Sequence, residues 1–199
     1  RLSVWTDART WLIGGLVLGM ALTEGSANDW LALLMVDGHD FDGVGAALAF
    51  ALFLTAMTAG RLAGVPLIER FGRVVMLRAT AMLAAVGLVL VIVVDHQVVA
   101  LVGTALWGLG ASLGFPIGMS AAADDARMAT ARVGAVATIG YVAFLAGPPL
   151  LGFLGEHLGL RDAMWVVLAF VILSLATSAV AREPRTASGA PDPAAEVRP

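Results

Sequence analysis

The 199-residue sequence has no cysteine and no lysine, and each of its twelve basic side chains is arginine. Without thiols there is no disulfide framework and no thiolate metal site, and cysteine usage says nothing about redox compartment. Charge is scarce altogether: 14% of residues are charged, against roughly 25% in soluble domains. The formal net charge of −3 is spread over short segments and forms no block, so nothing points to nucleic-acid binding. No Gly-rich phosphate loop, nucleophile elbow or zinc spacing occurs. An initiating methionine and a cleavable signal pattern are also missing. The start at Arg1 points to a segment of a longer protein, and the Arg-only, Ala- and Gly-rich composition hints at a GC-rich bacterial genome.

What is abundant is apolar surface. Hydrophobic residues make up 59% of the chain, mean hydropathy is +0.89, and the chain reads as an all-α integral membrane protein. Apolar stretches run from Trp11 to Met35, Val44 to Leu67, Val74 to Val94, Val98 to Ala121, Val133 to Leu154 and Ala163 to Ala181. About 20 helical residues cross roughly 30 Å of hydrocarbon, so all six qualify as spans. Short charged turns join them, which implies antiparallel neighbours. Six crossings place Arg1, Arg9, Arg61, Arg70, Arg73, Arg78, Arg127, Arg132, Arg182, Arg185 and Arg198 on one side and Arg161 alone on the other. The positive-inside rule then makes both termini cytoplasmic and the loops holding His39, His96 and His157 external. The expected organisation is a cytoplasmic lead-in (1–10), a six-helix unit (11–182) and a disordered cytoplasmic tail (183–199). Pro116 and the pair Pro148-Pro149 are expected to kink their spans.

The stretch Gly60 to Arg73 ends one apolar run and begins the next. Eighty-seven residues later Gly147, Gly152, Glu156, Gly159 and Arg161 echo Gly60, Gly64, Glu69, Gly72 and Arg73, with the Gly-to-Glu and Glu-to-Gly spacings kept at the two ends. Three crossings between the copies would set them on opposite faces of the bilayer. That predicts a 3+3 inverted repeat, about 11–94 and 98–181, as in secondary transporters.

The turn G-x(4)-E-R-x-G-R (Gly64, Glu69, Arg70, Gly72, Arg73) resembles the loop signature of the major facilitator superfamily, in the position it takes in the family's carboxyl-terminal half. Glu69 stands where Asp is usual, and Gly64 lies one residue further upstream than in the commonest form. Glu24-Gly25 with Asp29-Trp30 resembles the seventh helix of bacterial fucose-permease-like members, and Gly147-Pro148-Pro149 followed by Leu150-Leu151-Gly152 is similar to their eleventh. The resemblance covers about residues 10 to 182. It implies twelve spans in two halves with a substrate cavity between them. This chain supplies one half, and its complement is a missing amino-terminal half or a second copy. It further implies a bacterial inner-membrane carrier of a small solute, a sugar or polar metabolite, driven by a proton or other ion gradient without a bound cofactor. Drug or metabolite efflux is the alternative.

The expected substrate or proton pathway consists of Glu24, Asn28, Asp29, Tyr141 and Trp107. Glu24 lies in the middle of the first span with Asn28 one turn on, so the two share a face. A mid-membrane carboxylate must face an interior or a watery cavity, where desolvation favours taking up a proton. Asp29 is turned away from Glu24 and lies nearer the outside. Tyr141 needs a partner for its hydroxyl, in substrate or in helix packing. Trp107 and Trp30 are expected to stack on a sugar or line the cavity wall, and interfacial or core packing explains Trp30 equally well. By the resemblance, Arg61, Gly64, Glu69, Arg70, Gly72 and Arg73 form a cytoplasmic gate in which Glu69 accepts from arginine and from a helix amino terminus. A topology anchor is the plainer reading of those arginines. The acidic loop Asp37 to Gly43 lacks EF-hand spacing. His39-Asp40, Asp95-His96 and Glu156-His157 would be needed by a rival, a metal-dependent membrane enzyme, and the plainer reading is three solvated turns. A non-transporting interaction subunit is the third class.

Overall fold

A computed structural model describes residues 2–183, so of the expected tail only Glu183 lies among the described residues. These residues form a 3-10 turn (Leu2–Thr6), seven α-helices and a closing 3-10 turn (Ser178–Ala181). The helices are α1 Ala8–His39, α2 Gly43–Phe71, α3 Arg73–Val93, α4 Gln97–Ala111, α5 Gly114–Ala122, α6 Ala129–Leu158 and α7 Leu160–Thr177. Short acids start two of them, as their hydrogen-bonding reach favours. Asp7 accepts from the Arg9 N–H at 3.3 Å, and Asp42 accepts from the Gly45 N–H at 2.7 Å. Single glycines make two of the reversals. Gly72 (φ 82°, ψ 156°) separates α2 from α3, and Gly159 (φ 90°, ψ 147°) separates α6 from α7. Each donates its N–H to the carbonyl four residues back, Ile68 and Gly155. Only glycine takes such a φ freely, so the two echoed turns share one backbone conformation.

The helix ends sort into two ends of a bundle. One is rich in arginine and joins the starts of α1, α3 and α6 to the ends of α2, α5 and α7. The other gathers the end of α1, the α3–α4 turn and the start of α7. α1 is the central element and packs against α2, α4, α5, α6 and α7. α3 and α4 approach until a Cβ on Gly87 would sit 2.5 Å from the Gly103 carbonyl oxygen. The main core holds Leu34, Met35, Phe53, Leu88 and Trp107, and a second cluster around Ile13, Leu16, Leu77 and Ile117 is built by α1, α3 and α5.

Apolar side chains also cover the outside, among them Leu48, Leu62, Leu145 and Phe153, as a membrane-embedded bundle requires. Among the described residues five segments are long and apolar enough to cross a bilayer: Gly43–Phe71, Arg73–Val93, Gln97–Ala122, Ala129–Leu158 and Leu160–Ala181. α1 has 32 residues and the length to span, but the polar stretch Thr23 to Asp29 dilutes its hydropathy.

The fourth run, expected as one helix, breaks between Ala111 and Gly114. Proline has no N–H to offer the carbonyl four residues back, so Pro116 leaves the Ser112 carbonyl without a helix partner. Pro148 and Pro149 do not interrupt α6, which runs through both, and Pro66 is likewise carried inside α2.

Candidate functional site: an ion pair across a broken helix

Glu24, in the middle of α1, accepts from Arg61 of α2. Arg61 Nη2 lies 2.9 Å from each carboxylate oxygen, and the Arg61 Nε–H donates to the Ser112 carbonyl at 3.3 Å. That carbonyl is the one Pro116 orphans. One guanidinium therefore ties α1, α2 and the α4–α5 break together. Two α2 glycines permit the approach: a Cβ on Gly60 would lie 2.5 Å from Ser112 Oγ, and a Cβ on Gly64 would collide with Leu113. Gly64 of the expected gate motif is thus a packing glycine.

The Glu24 side chain is 16% exposed and that of Arg61 42%. Arg61 Nη1 donates to no described residue. A charge set against hydrocarbon costs about 2.5–3.5 kcal/mol on insertion scales, so the open side of this pair belongs on a wet or protein-covered face. Asn28, one turn beyond Glu24, is exposed. Asp29 is exposed as well, and neither forms a hydrogen bond with a described side chain.

Other expected pathway residues lie elsewhere. Trp107 is fully buried; its Nε1–H donates to the Thr23 carbonyl at 3.0 Å, and its ring meets Phe53 edge-on at 5.6 Å. It is a core residue and cannot stack on a solute. Tyr141, on α6, is 66% exposed, and its hydroxyl has no hydrogen-bond partner among the described residues. Trp30 is half-buried and packs on Gly152, where a Cβ would lie 3.1 Å from the indole.

The arginine-rich end corrects the expected gate. Arg61 points to Glu24 and away from Glu69. Glu69 is exposed and makes no ion pair with a described residue, and Arg70 lies over the Phe71 ring at 5.3 Å. The acid that gathers arginines is Asp124, 7% exposed, which accepts from Arg73 at 2.7 Å and Arg9 at 3.2 Å. Arg73 also reaches Glu183 at 3.4 Å. Beside them Arg132, nearly buried, donates to Asp7 at 2.9 Å and to Thr10 Oγ1 at 3.3 Å. Burial works to raise the Asp7 carboxyl, but bonds from Thr10, Arg132 and the Arg9 N–H prevail and hold it below the usual carboxylate range. Glu69 was the acid within the motif. Asp124 lies 51 residues beyond Arg73, and only the closing of α3 against α5 brings the two together.

At the opposite end Arg161 donates to the Gly38 carbonyl at 3.1 Å and to the Ile92 carbonyl at 3.0 Å, with Asp95 at 3.4 Å. These are the last carbonyls of α1 and α3, where positive charge is favourable. His39 is buried and donates from Nε2 to the Val91 carbonyl at 2.9 Å. Burial first, then the Arg161 charge, pushes its imidazole below the ordinary value against the pull of that bond. His157 is bonded to the Phe153 carbonyl. The three His-carboxylate pairs of the metal-enzyme rival therefore do not assemble, and no group of three or more possible ligands occurs among the described residues. A cleft of about 520 Å³ lined by Trp30, Asp37, Glu156 and Arg161 lies at this end.

A family model described as Major Facilitator Superfamily matches residues 13–199. The chain is 36% identical over 174 residues to an uncharacterized MFS-type transporter of Yersinia pestis, covering 86% of this chain and 45% of that protein. It is 29% identical over 171 residues to the uncharacterized transporter y4wD of Sinorhizobium fredii, covering 85% and 45%. With the membrane protein MosC of Rhizobium meliloti it shares 28% identity over 173 residues, covering 86% and 42%. The chain spans less than half the length of these relatives.

Proposed function

Because the chain belongs to the Major Facilitator Superfamily, we propose that it is the carboxyl-terminal six-helix half of a secondary active transporter. In this reading α1 also crosses, which makes six crossings with the five apolar segments, and the two glycine turns mark a 3+3 inverted repeat. The Arg-rich end is cytoplasmic by the positive-inside rule, in a bacterial inner membrane. The complement is an amino-terminal half or a second copy, and the solute passes between the two units by alternating access. The Glu24–Arg61 pair carries the reading: it is a membrane-embedded ion pair with an open side, on the helix that packs against most of the others. Such a pair marks a substrate or proton pathway more readily than a fold support. Asn28 shares its face. Proton coupling through Glu24 supplies the energy, and the solute is a small polar metabolite. The Asp124 cluster is the cytoplasmic latch, and its charges separate when that side opens.

Counterflow of a radiolabelled metabolite panel, in proteoliposomes holding either this chain alone or the product of the whole gene, tests the reading. Transport by the whole-gene product, lost in Glu24→Gln and Arg61→Gln, is expected. Transport by the chain alone would identify a second copy as the complement. Full activity in both variants would contradict a path through the pair. Running the panel in both directions separates uptake from efflux.

A further inference from the structure

Resting on that reading of the ion pair, we propose that Arg61 makes the site selective for solutes carrying a single oxyanion, a carboxylate or a monoester phosphate, in preference to neutral polyols. Guanidinium offers five N–H donors in a rigid planar fork. In this protein Nε is committed to the Ser112 carbonyl and Nη2 to Glu24. The two N–H groups of Nη1 have no acceptor among the described residues, and the side chain is open enough to present them. An oxyanion oxygen of a carboxylate or a phosphate can accept from Nη1 in a charge-assisted hydrogen bond. A hydroxyl offers the same geometry without the charge.

The surroundings set the number of charges. α4 and α5 carry no titratable side chain, and on α6 and α7 every charged residue lies in the first or last turns: Arg132, Glu156, His157, Arg161 and Asp162. Among the described residues Arg61 is the one cation bonded to Glu24, and the site can match one negative head, with Asn28 exposed on the Glu24 face to meet the body of the solute. Glu24 already occupies half the fork and competes with the incoming anion. That competition keeps binding weak and reversible, as transport requires.

The competition gives a gain-of-binding test. Equilibrium binding of D-gluconate, benzoate and inorganic phosphate to the purified protein in nanodiscs is compared with that of D-glucitol and benzyl alcohol, which match the first two in shape without the charge. Glu24→Gln is expected to tighten binding of at least one anion about ten-fold or more and to leave its neutral counterpart unchanged, whereas Arg61→Gln removes anion binding. The double variant Glu24→Gln/Arg61→Gln leaves no unpaired charge. If Arg61→Gln does not fold, the double variant replaces it, and loss of anion binding there is the expected result. Equal anion affinity in wild type and Glu24→Gln, absence of anion binding from both, or anion binding that survives without Arg61 would overturn the inference. Counterflow of a neutral solute only would also overturn it while leaving the transport reading intact.

Discussion

At the scale of single residues, a few side chains decide which charges are structural and which are available. Asp124 is nearly buried between Arg9 and Arg73, whereas Glu69 faces outward. A hydrogen bond to a charged group contributes about 1.5–3 kcal/mol, so Asp124→Asn is expected to lower stability by about that amount, and Glu69→Gln by less than about 0.5 kcal/mol. Thermal unfolding in detergent, followed by size-exclusion recovery, distinguishes them, and the reverse order would restore Glu69 as the organising acid. Trp107 gives a second contrast. Emptying its fully buried site with Trp107→Ala is expected to cost about 3–5 kcal/mol, while Trp107→Phe, which loses the bond to Thr23 and part of the ring volume but keeps an aromatic ring in the core, costs less, about 1–3 kcal/mol, and leaves solute preference unchanged in counterflow.

At the scale of elements, the α4–α5 break is where sequence chemistry becomes architecture. Pro116 withdraws a donor from Ser112, Gly60 and Gly64 bring α2 against the exposed carbonyl, and Arg61 fills it while holding Glu24. Pro116→Ala would return an N–H to position 116, close the helix and set that N–H in competition with Arg61 Nε for the Ser112 carbonyl. Slower amide exchange at 113–118 and reduced counterflow are the expected outcome, and unchanged exchange would mean that the break does not depend on the proline. The sequence made the helices legible because apolar runs of bilayer length and glycine reversals are local signals. It marked Glu24 too, because a carboxylate within an apolar run is conspicuous. The partner of Glu24 was not legible. Arg61 is 37 residues away and follows a motif that suggests Glu69, and its direction depends on an orphan carbonyl on a third helix. Trp107 was misplaced for a related reason: a helix apolar on every face gives no periodic cue to which side is core.

For the whole molecule, the two ends of the bundle respond differently to pH. His39 has its proton affinity lowered by burial and by Arg161, below the ordinary 6.5. An unfolded chain therefore takes up that proton first as pH falls. The His39 contribution is complete above about pH 6.5 and is lost as pH falls through the folded value. Asp7, held below 3.8, keeps its contribution until much stronger acid. Between pH 7.5 and 5 the apparent melting temperature is expected to drop, and His39→Gln should flatten that drop. An equal drop in the variant would assign it to another group.

The proposed alternating access requires that the face holding Glu24, Arg61 and Asn28 open to both sides of the membrane in turn. Because the chain has no cysteine, Asn28→Cys is a single reporter in it, placed in the whole-gene product with any other cysteines replaced. Modification by a membrane-impermeant thiol reagent is measured in right-side-out and in inverted vesicles. Labelling from both sides, each suppressed when the protein is trapped facing the other way, is the predicted result. Labelling from one side alone under every condition, or protection from both, would contradict alternating access through this face.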